Sequence, residues 1–277
     1  MIFVIGGRGR LGQAIARQYG VDETVCVDRA VYQDWAAPGA HAAIDAFFAP
    51  LAGKGATVFV TSGLLDPKLA PEEIWKVNVE LPRNIIEAGC RHGVRVTTFG
   101  TVMESLMVDH NPYVRSKVAL GDFVAQKAAE GAAVSHVRVH TLYGGGMPSP
   151  FMFLGQLLSA LDQGNPFRMT LGKQLREYHH VDDDARAIRL LDDAGVNGVL
   201  DLSHGAPVSL AELARTVFDA FGAPGQLQIG ALPEPREENY NTVFARNPLL
   251  EQLGFRDTLP AVVAYLEQCG AGRKTNK

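Results

Sequence analysis

The stretch FGTVMESLMVDHNPYVRSK, Phe99 to Lys117, holds a tyrosine and a lysine four residues apart, Tyr113 and Lys117. Asn111 and Pro112, just before them, are the residue types that begin a helix, one as N-cap and one at the first helical position. Four apart on a helix, Tyr113 and Lys117 share a face. A free phenol titrates at about 10 and is a poor acid or base at neutral pH. A neighbouring ammonium, joined by the charge of an oxidised nicotinamide, favours the phenolate and draws that pKa down. Such a pair can exchange a proton with a sugar or alcohol oxygen.

That chemistry needs a hydride cofactor, and GGRGRLG is suited to hold one. It puts Gly6, Gly9 and Gly12 three apart, where the apolar run MIFVI turns into a helical stretch. Glycines let the backbone approach a pyrophosphate. The helix start around Arg8, Arg10 and Leu11 supplies unpaired N–H groups and the positive end of the helix dipole. The next strand-like run, TVCVD, ends on Asp28. An aspartate there binds both adenosine ribose hydroxyls and repels a 2′-phosphate, which favours NAD. Arg8, Arg10 and Arg29 could each reach a 2′-phosphate, so NADP stays open.

The elements that must position these residues follow from periodicity. MIFVIGG, TVCVD, ATVFVTSG, VRVTTFGT and AVSHVRVHTLYG read as strands, with helical segments between them. This alternation predicts an α/β fold, a doubly wound, mostly parallel sheet with helices on both faces. GGGMPSP is the seam. Residues 1–145 are expected to form the dinucleotide-binding domain and 146–277 a smaller mixed α/β lobe, with part of 180–204 packing back on the first. Ser209 and Glu212 make a capping box for a late helix.

Composition narrows the classes. The chain has 277 residues, 47 % of them hydrophobic, and a net charge of −4, which leaves no basic face for nucleic acid. MIFVI is too short for a signal-peptide core, and no apolar run reaches membrane length. Cys26, Cys90 and Cys269 are scattered and outside any CxxC, as in reduced thiols. A cytoplasmic location is the expectation, with GRKTNK a short frayed tail.

With these residues in view, the chain resembles the extended short-chain dehydrogenases/reductases that act on nucleotide sugars. GGRGRLG resembles their GxxGxxG and YVRSK their YxxSK. WKVNVELPRNIIEAG resembles their Asn-containing helix, LREYHHVDDDARAI their RDF-x-x-VDDVA segment, and LSHGAPVSLAELA their late strand-to-helix join. The resemblance covers nearly the whole chain. It implies a Rossmann-type domain, a C-terminal nucleotide-sugar lobe, and a homodimer joined through two long helices.

The resemblance also implies roles. Asn78 falls among the cofactor-binding residues, and Asp34-Trp35 where the family sets an Asp and an apolar residue against adenine. The family's catalytic Ser or Thr ends its fifth strand; here VRVTTFGT offers Thr101, with Thr98 the alternative on the opposite face. Arg176 matches one diphosphate arginine and Arg236 a second, and two guanidiniums clamp a pyrophosphate better than lysines do. VME stands in place of the family's VYG, the loop from Thr101 to Tyr113 is short, and Thr141 replaces an Asn. No metal is expected: adjacent His179 and His180 project apart, Asp182 reads as a helix N-cap, and His140 reads as a strand residue.

Four reactions share this machinery. Val102-Met103 replaces the acid pair of a 4,6-dehydratase, and no cysteine lies where a 3,5-epimerase/reductase keeps one. Epimerisation at C4, which Asp28 and recycled NAD suit, and NADPH-dependent reduction of a 4-keto sugar, which the short loop suits, both remain. Two rivals are a reductase of non-nucleotide carbonyls and a dinucleotide-sensing protein without turnover.

Overall fold

The computed structural model describes residues 1–66, 68–107 and 111–274. The end of the GRKTNK tail and part of the loop between Thr101 and Tyr113 lie outside them. The first elements are β1 (Ile2–Ile5), α1 (Arg10–Tyr19), β2 (Thr24–Val27), α2 (Arg29–Tyr32), α3 (His41–Phe48), β3 (Thr57–Val60), α4 (Pro71–Trp75) and α5 (Leu81–His92). Then come β4 (Arg95–Thr101), α6 (Met103–Leu106), α7 (Pro112–Ala129), β5 (Val134–Val139), β6 (Thr141–Tyr143), α8 (Phe153–Gln163), β7 (Phe167–Met169), β8 (Leu175–Arg176) and β9 (Tyr178–His180). The last are α9 (Val181–Asp193), β10 (Gly198–Asp201), β11 (Val208–Ser209), α10 (Leu210–Ala220), β12 (Leu227–Ile229) and α11 (Thr258–Lys274).

The chain forms two units, Met1–Val139 with Asp184–Leu202, and His140–Asp183 with Ser203–Lys277. In the first, among the described residues, six strands pair in the order β10-β5-β4-β3-β1-β2, each pair parallel. Every residue of β1 and β3 is buried, as strands covered on both faces require. Parallel neighbours need crossovers, which the intervening helices supply. The strand order reverses at β1, and in open parallel sheets ligands bind beyond the carboxyl ends of the strands at such a switch point.

Local signals set the helix ends. Asn111 caps α7, its Oδ1 accepting the Val114 N–H at 3.0 Å, with Pro112 in the first turn. Ser209 Oγ accepts the Glu212 N–H at the start of α10. Between α4 and α5, Lys76–Glu80 is wound as a π-helix, a form that often marks a functional position. As the sequence pattern predicts, VRVTTFGT forms the fourth strand of this chain, where the resembled family counts it fifth, because residues 29 to 51 contain no strand. One expectation is corrected. Helix α9 begins at Val181, and the His180 ring, not Asp182, caps it by accepting the Asp182 N–H on Nδ1.

The second unit is smaller and mixed. It packs its own core from Tyr143, Leu157, Leu158, Phe218, Val262 and Leu266 among others. Its strands pair two by two: β6 with β9, β7 with β12, and β8 antiparallel with β11.

Candidate active site

The glycine loop leaves the carboxyl end of β1 at the switch point. Gly6 has φ +87°, and a Cβ there would lie 2.5 Å from the Ser62 nitrogen. A Cβ on Gly12 would meet the Gly6 oxygen at 2.7 Å and Thr61 Oγ1 at 2.8 Å. These contacts draw the start of α1 down onto β1 and β3, so larger residues are excluded. Gly9 is the N-cap of α1 and brings no side chain to its first N–H groups. Those groups are the donors a pyrophosphate takes. Arg10 and Leu11 open the helix, both partly exposed.

Asp28 follows β2 as the N-cap of α2 and is exposed. Its Oδ1 accepts the Ala30 N–H at 2.9 Å, and its Oδ2 pairs with Arg8 at 3.1 Å. Arg29 and Asp34 are also exposed. Trp35 is a correction: expected against adenine, it is 3 % exposed in the core, edge-on to Tyr32 and Phe47. A large ring gains more from burial against aromatics than from an open cleft. Of the expected cofactor residues in the first unit, Arg8 of the glycine loop and Asp28 after β2 are brought together, paired at 3.1 Å.

Thr101 ends β4, and α7 carries Tyr113 and Lys117. Lys117 Nζ donates to the Phe99 carbonyl at 2.9 Å and lies 6.0 Å from the Tyr113 ring centroid. Burial lowers the Lys117 pKa to about 8, against an opposing pull from Glu104. Thr101 Oγ1 accepts the Met103 N–H at 3.3 Å. Thr98, the alternative, is buried and bonded to His136 and the Ser135 carbonyl, so it does not reach this end of the strand.

Asn78, in the π-helical turn, is fully buried. Its Nδ2 donates to the Leu64 carbonyl and to Ser116 Oγ, and its Oδ1 accepts the Leu64 N–H. Ser116 Oγ in turn donates to the Tyr113 carbonyl at 2.6 Å. Asn78 thus ties the segment after β3 to the turn of α7 between Tyr113 and Lys117.

The electrostatics depart from expectation. The Tyr113 phenol is pushed up, first by burial and then by the Glu104 carboxylate. Lys117, which was expected to lower it, points its ammonium at the Phe99 carbonyl instead. Glu104 was not singled out in the sequence. It is buried, accepts the Thr101 N–H at 2.6 Å, and sits 3.2 Å from His136 Nε2 and 3.3 Å from Arg138 Nε. Burial raises its carboxyl, but His136, the Thr101 N–H and Arg138 together outweigh this and hold it below the ordinary range. Burial lowers the His136 pKa against the pull of Glu104. An ionised carboxylate only accepts, so His136 Nε2 donates to Glu104, while Nδ1 lies 2.8 Å from the Thr98 hydroxyl oxygen and the Ser135 carbonyl 3.2 Å from it. The signal in the sequence was a histidine inside the buried strand VSHVRV.

In the second unit, Arg176 on β8 donates to the Leu175 carbonyl and forms a close ion pair with Glu238. Arg236 is exposed. The expected histidine pair diverges: the His180 ring meets Tyr143 edge-on, while His179 turns to Glu177. Among the described residues, no helix is long and apolar enough to cross a membrane.

Comparison with known proteins bears on the fold and the family. No match was found among curated proteins. Among solved structures, MoeE5 in complex with UDP-glucose and NAD is similar over 100 % of this chain and 99 % of its own, at 24 % identity and TM-score 0.75. A dTDP-glucose 4,6-dehydratase double mutant from Streptomyces venezuelae (DesIV) matches over 99 % and 98 %, at 18 % identity and TM-score 0.77. A UDP-N-acetylglucosamine 4-epimerase from Methanobrevibacter ruminantium M1 matches over 100 % and 98 %, at 15 % identity and TM-score 0.77. Identities this low speak for the fold. The family model described as NAD dependent epimerase/dehydratase family matches residues 2–200. That span is more than half of the sequence and holds both the glycine loop and the Tyr113–Lys117 pair, so the chain belongs to the NAD dependent epimerase/dehydratase family.

Proposed function

We propose that the chain is an NAD(P)-dependent enzyme acting on a nucleoside-diphosphate sugar, with hydride exchange at sugar C4 and Tyr113 as the acid–base. One observation carries this reading. Lys117 Nζ bonds the Phe99 carbonyl two residues before Thr101, so the ammonium, the threonine and the tyrosine one turn earlier gather at the carboxyl end of β4. The glycine loop leaves the same edge of the sheet, from β1.

NAD, when bound, would supply the hydride acceptor and donor. The N–H groups after Gly9 and the close-packed Gly6 and Gly12 receive the pyrophosphate, and Asp28 the adenosine ribose, with Arg8, Arg10 and Arg29 beside it. Tyr113 Oη gives or takes the proton at the sugar oxygen, Thr101 Oγ1 orients that oxygen, and Lys117 binds the nicotinamide ribose. Asn78 acts through the backbone of Leu64 and Ser116 to position the pair. Arg176 and Arg236 serve the diphosphate. The nucleotide sugars bound to MoeE5 and to the M. ruminantium epimerase support this substrate class. A homodimer through α5 and α7 belongs to the same reading.

A second reading is reduction of a 4-keto sugar with NADPH, which the short stretch between Thr101 and Tyr113 suits. In that direction Tyr113 Oη gives its proton to the carbonyl oxygen, and the raised pKa of the phenol works against the step until a cofactor charge offsets it. The cofactor separates the two: NAD retained through desalting and never consumed indicates epimerisation, and stoichiometric NAD(P)H consumption indicates reduction.

The test uses purified protein with UDP- and dTDP-sugars. Tyr113→Phe should lose turnover by roughly 100-fold or more while still binding NAD. Undiminished turnover in that variant overturns the acid–base assignment. If Arg176→Ala and Arg236→Ala leave substrate affinity unchanged, the substrate is a non-nucleotide carbonyl. NAD binding without turnover of any sugar would make the chain a sensor.

A further inference from the structure

The second unit buries a histidine cluster that the dinucleotide chemistry does not use. Glu177 and His179 lie two residues apart around β9, so they share a side of the strand. His140 precedes β6, and His204 follows Ser203. Their side chains are 1 % (Glu177), 0 % (His179), 5 % (His140) and 8 % (His204) exposed.

Glu177 Oε2 is the centre of the group. It lies 3.0 Å from His179 Nε2, 3.5 Å from His204 Nδ1 and 3.7 Å from His140 Nε2. One ligand atom from each of Glu177, His179 and His204 falls within 4.8 Å of the others. A tetrahedral zinc with bonds of about 2.0–2.1 Å keeps its ligand atoms about 3.4 Å apart, inside the spread seen here.

Two features set this cluster apart from an ordinary hydrogen-bonded core. First, Nε2 of His140 and Nε2 of His204 are buried with no hydrogen-bond partner, and buried polar atoms in native proteins are almost always satisfied. Second, the groups behind the cluster orient it. Ser203 Oγ donates to Glu177 Oε1 at 2.7 Å and the His204 N–H donates to Oε2 at 2.9 Å, which fixes the carboxylate. Metal ligands are aimed by such outer contacts. The Ala206 N–H donates to His204 Nδ1 at 3.1 Å and has to yield that lone pair for this nitrogen to bind a cation. Phe244 and Phe255 wall the group, with ring centroids 5.1 Å from His140 and 5.4 Å from His179.

We propose that Glu177, His179, His204 and His140 form a closed, four-ligand site for a zinc-type divalent cation that staples three segments of the second unit. Three imidazoles and one carboxylate are a borderline-hard set suited to zinc, and four protein ligands leave no open position for catalysis. The proposal is independent of the dinucleotide reading. Adjacent His179 and His180 had spoken against a metal; the partner of His179 is instead two residues back in sequence.

The test is zinc uptake by the full chain after chelator treatment and dialysis, in competition with a chromophoric indicator. The expected result is one zinc per chain, a zinc-dependent rise in melting temperature, and the strong visible bands of a tetrahedral site with cobalt. His140→Ala and His179→Ala should each bind roughly tenfold or more weakly and lose the melting shift. Failure of the wild-type chain to take up zinc overturns the proposal without any variant. Equal uptake by folded His140→Ala and His179→Ala also overturns it, by showing the ion held elsewhere. Should either alanine variant fail to fold, His140→Asn, which keeps a polar side chain of similar reach, supplies the comparison.

Discussion

Glu104 Oε1 accepts the N–H of Thr101 at 2.6 Å, and the same carboxylate helps raise the pKa of Tyr113. One buried side chain thus holds the end of β4 and biases the proton on the phenol. The arrangement needs Gly100 as well, because a Cβ there would lie 2.0 Å from Glu104 Oε1 and 2.2 Å from His136 Nε2.

Replacing Glu104 by Gln keeps an acceptor for Thr101 and removes the charge. Tyr113 then loses one cause of its raised pKa, so the phenol deprotonates at lower pH. The alkaline limb of kcat/KM against pH in the reductive direction should move down, and an unmoved limb would show that the two groups are not coupled in solution. His136 and Arg138 lose their anion, which should cost about 1–3 kcal/mol in unfolding free energy.

Lys117 is buried, and its pKa falls to about 8 from 10.5. The folded state therefore disfavours the ammonium by about 3 kcal/mol below pH 8, at about 1.4 kcal/mol per pH unit. Lys117→Met should stabilise the protein at pH 7 by about 2 kcal/mol, once about 1 kcal/mol is subtracted for the lost Phe99 hydrogen bond. Between pH 8 and 10.5 the unfolded chain holds the proton and the folded chain does not, so wild-type stability rises with pH and the gap closes. Denaturant unfolding at pH 7 and pH 10 measures both. The same variant should lose turnover, and a variant less stable than wild type at pH 7 would contradict the burial argument.

Arg176 is tied to Glu238. If it serves a diphosphate, Glu238 competes for it and repels the ligand. Glu238→Gln should tighten binding of UDP or dTDP by about tenfold, roughly the strength of one charged hydrogen bond. Calorimetry on both proteins decides the point, and weaker binding by the variant would mean that Glu238 orients the arginine instead.

Asp28 pairs with Arg8 just after β2. Asp28→Asn removes the charge that repels a 2′-phosphate and frees the guanidinium to meet one. The ratio of NADP to NAD affinity should rise by about tenfold on the same scale, as read by fluorescence titration. An unchanged ratio would place cofactor selection elsewhere.

The parts of this protein legible from the sequence were local or periodic. Short apolar runs alternating with amphipathic stretches announced the parallel sheet, since burial on both faces leaves no other pattern. Gly6, Gly9 and Gly12 marked a tight turn, and Asn111-Pro112 marked the start of α7, because backbone sterics and capping act over a few residues. What tertiary structure decided were encounters between residues far apart in the chain. The register of β4 on β5 sets Thr98 opposite His136, which takes Thr98 out of the site and brings His136 to Glu104. Packing drew Trp35 into the core, and Arg176 met Glu238 sixty-two residues on. Spacing predicts contacts within a helix or strand, whereas charge and burial act through distances in space. Those distances come into being only when separate segments share one interior.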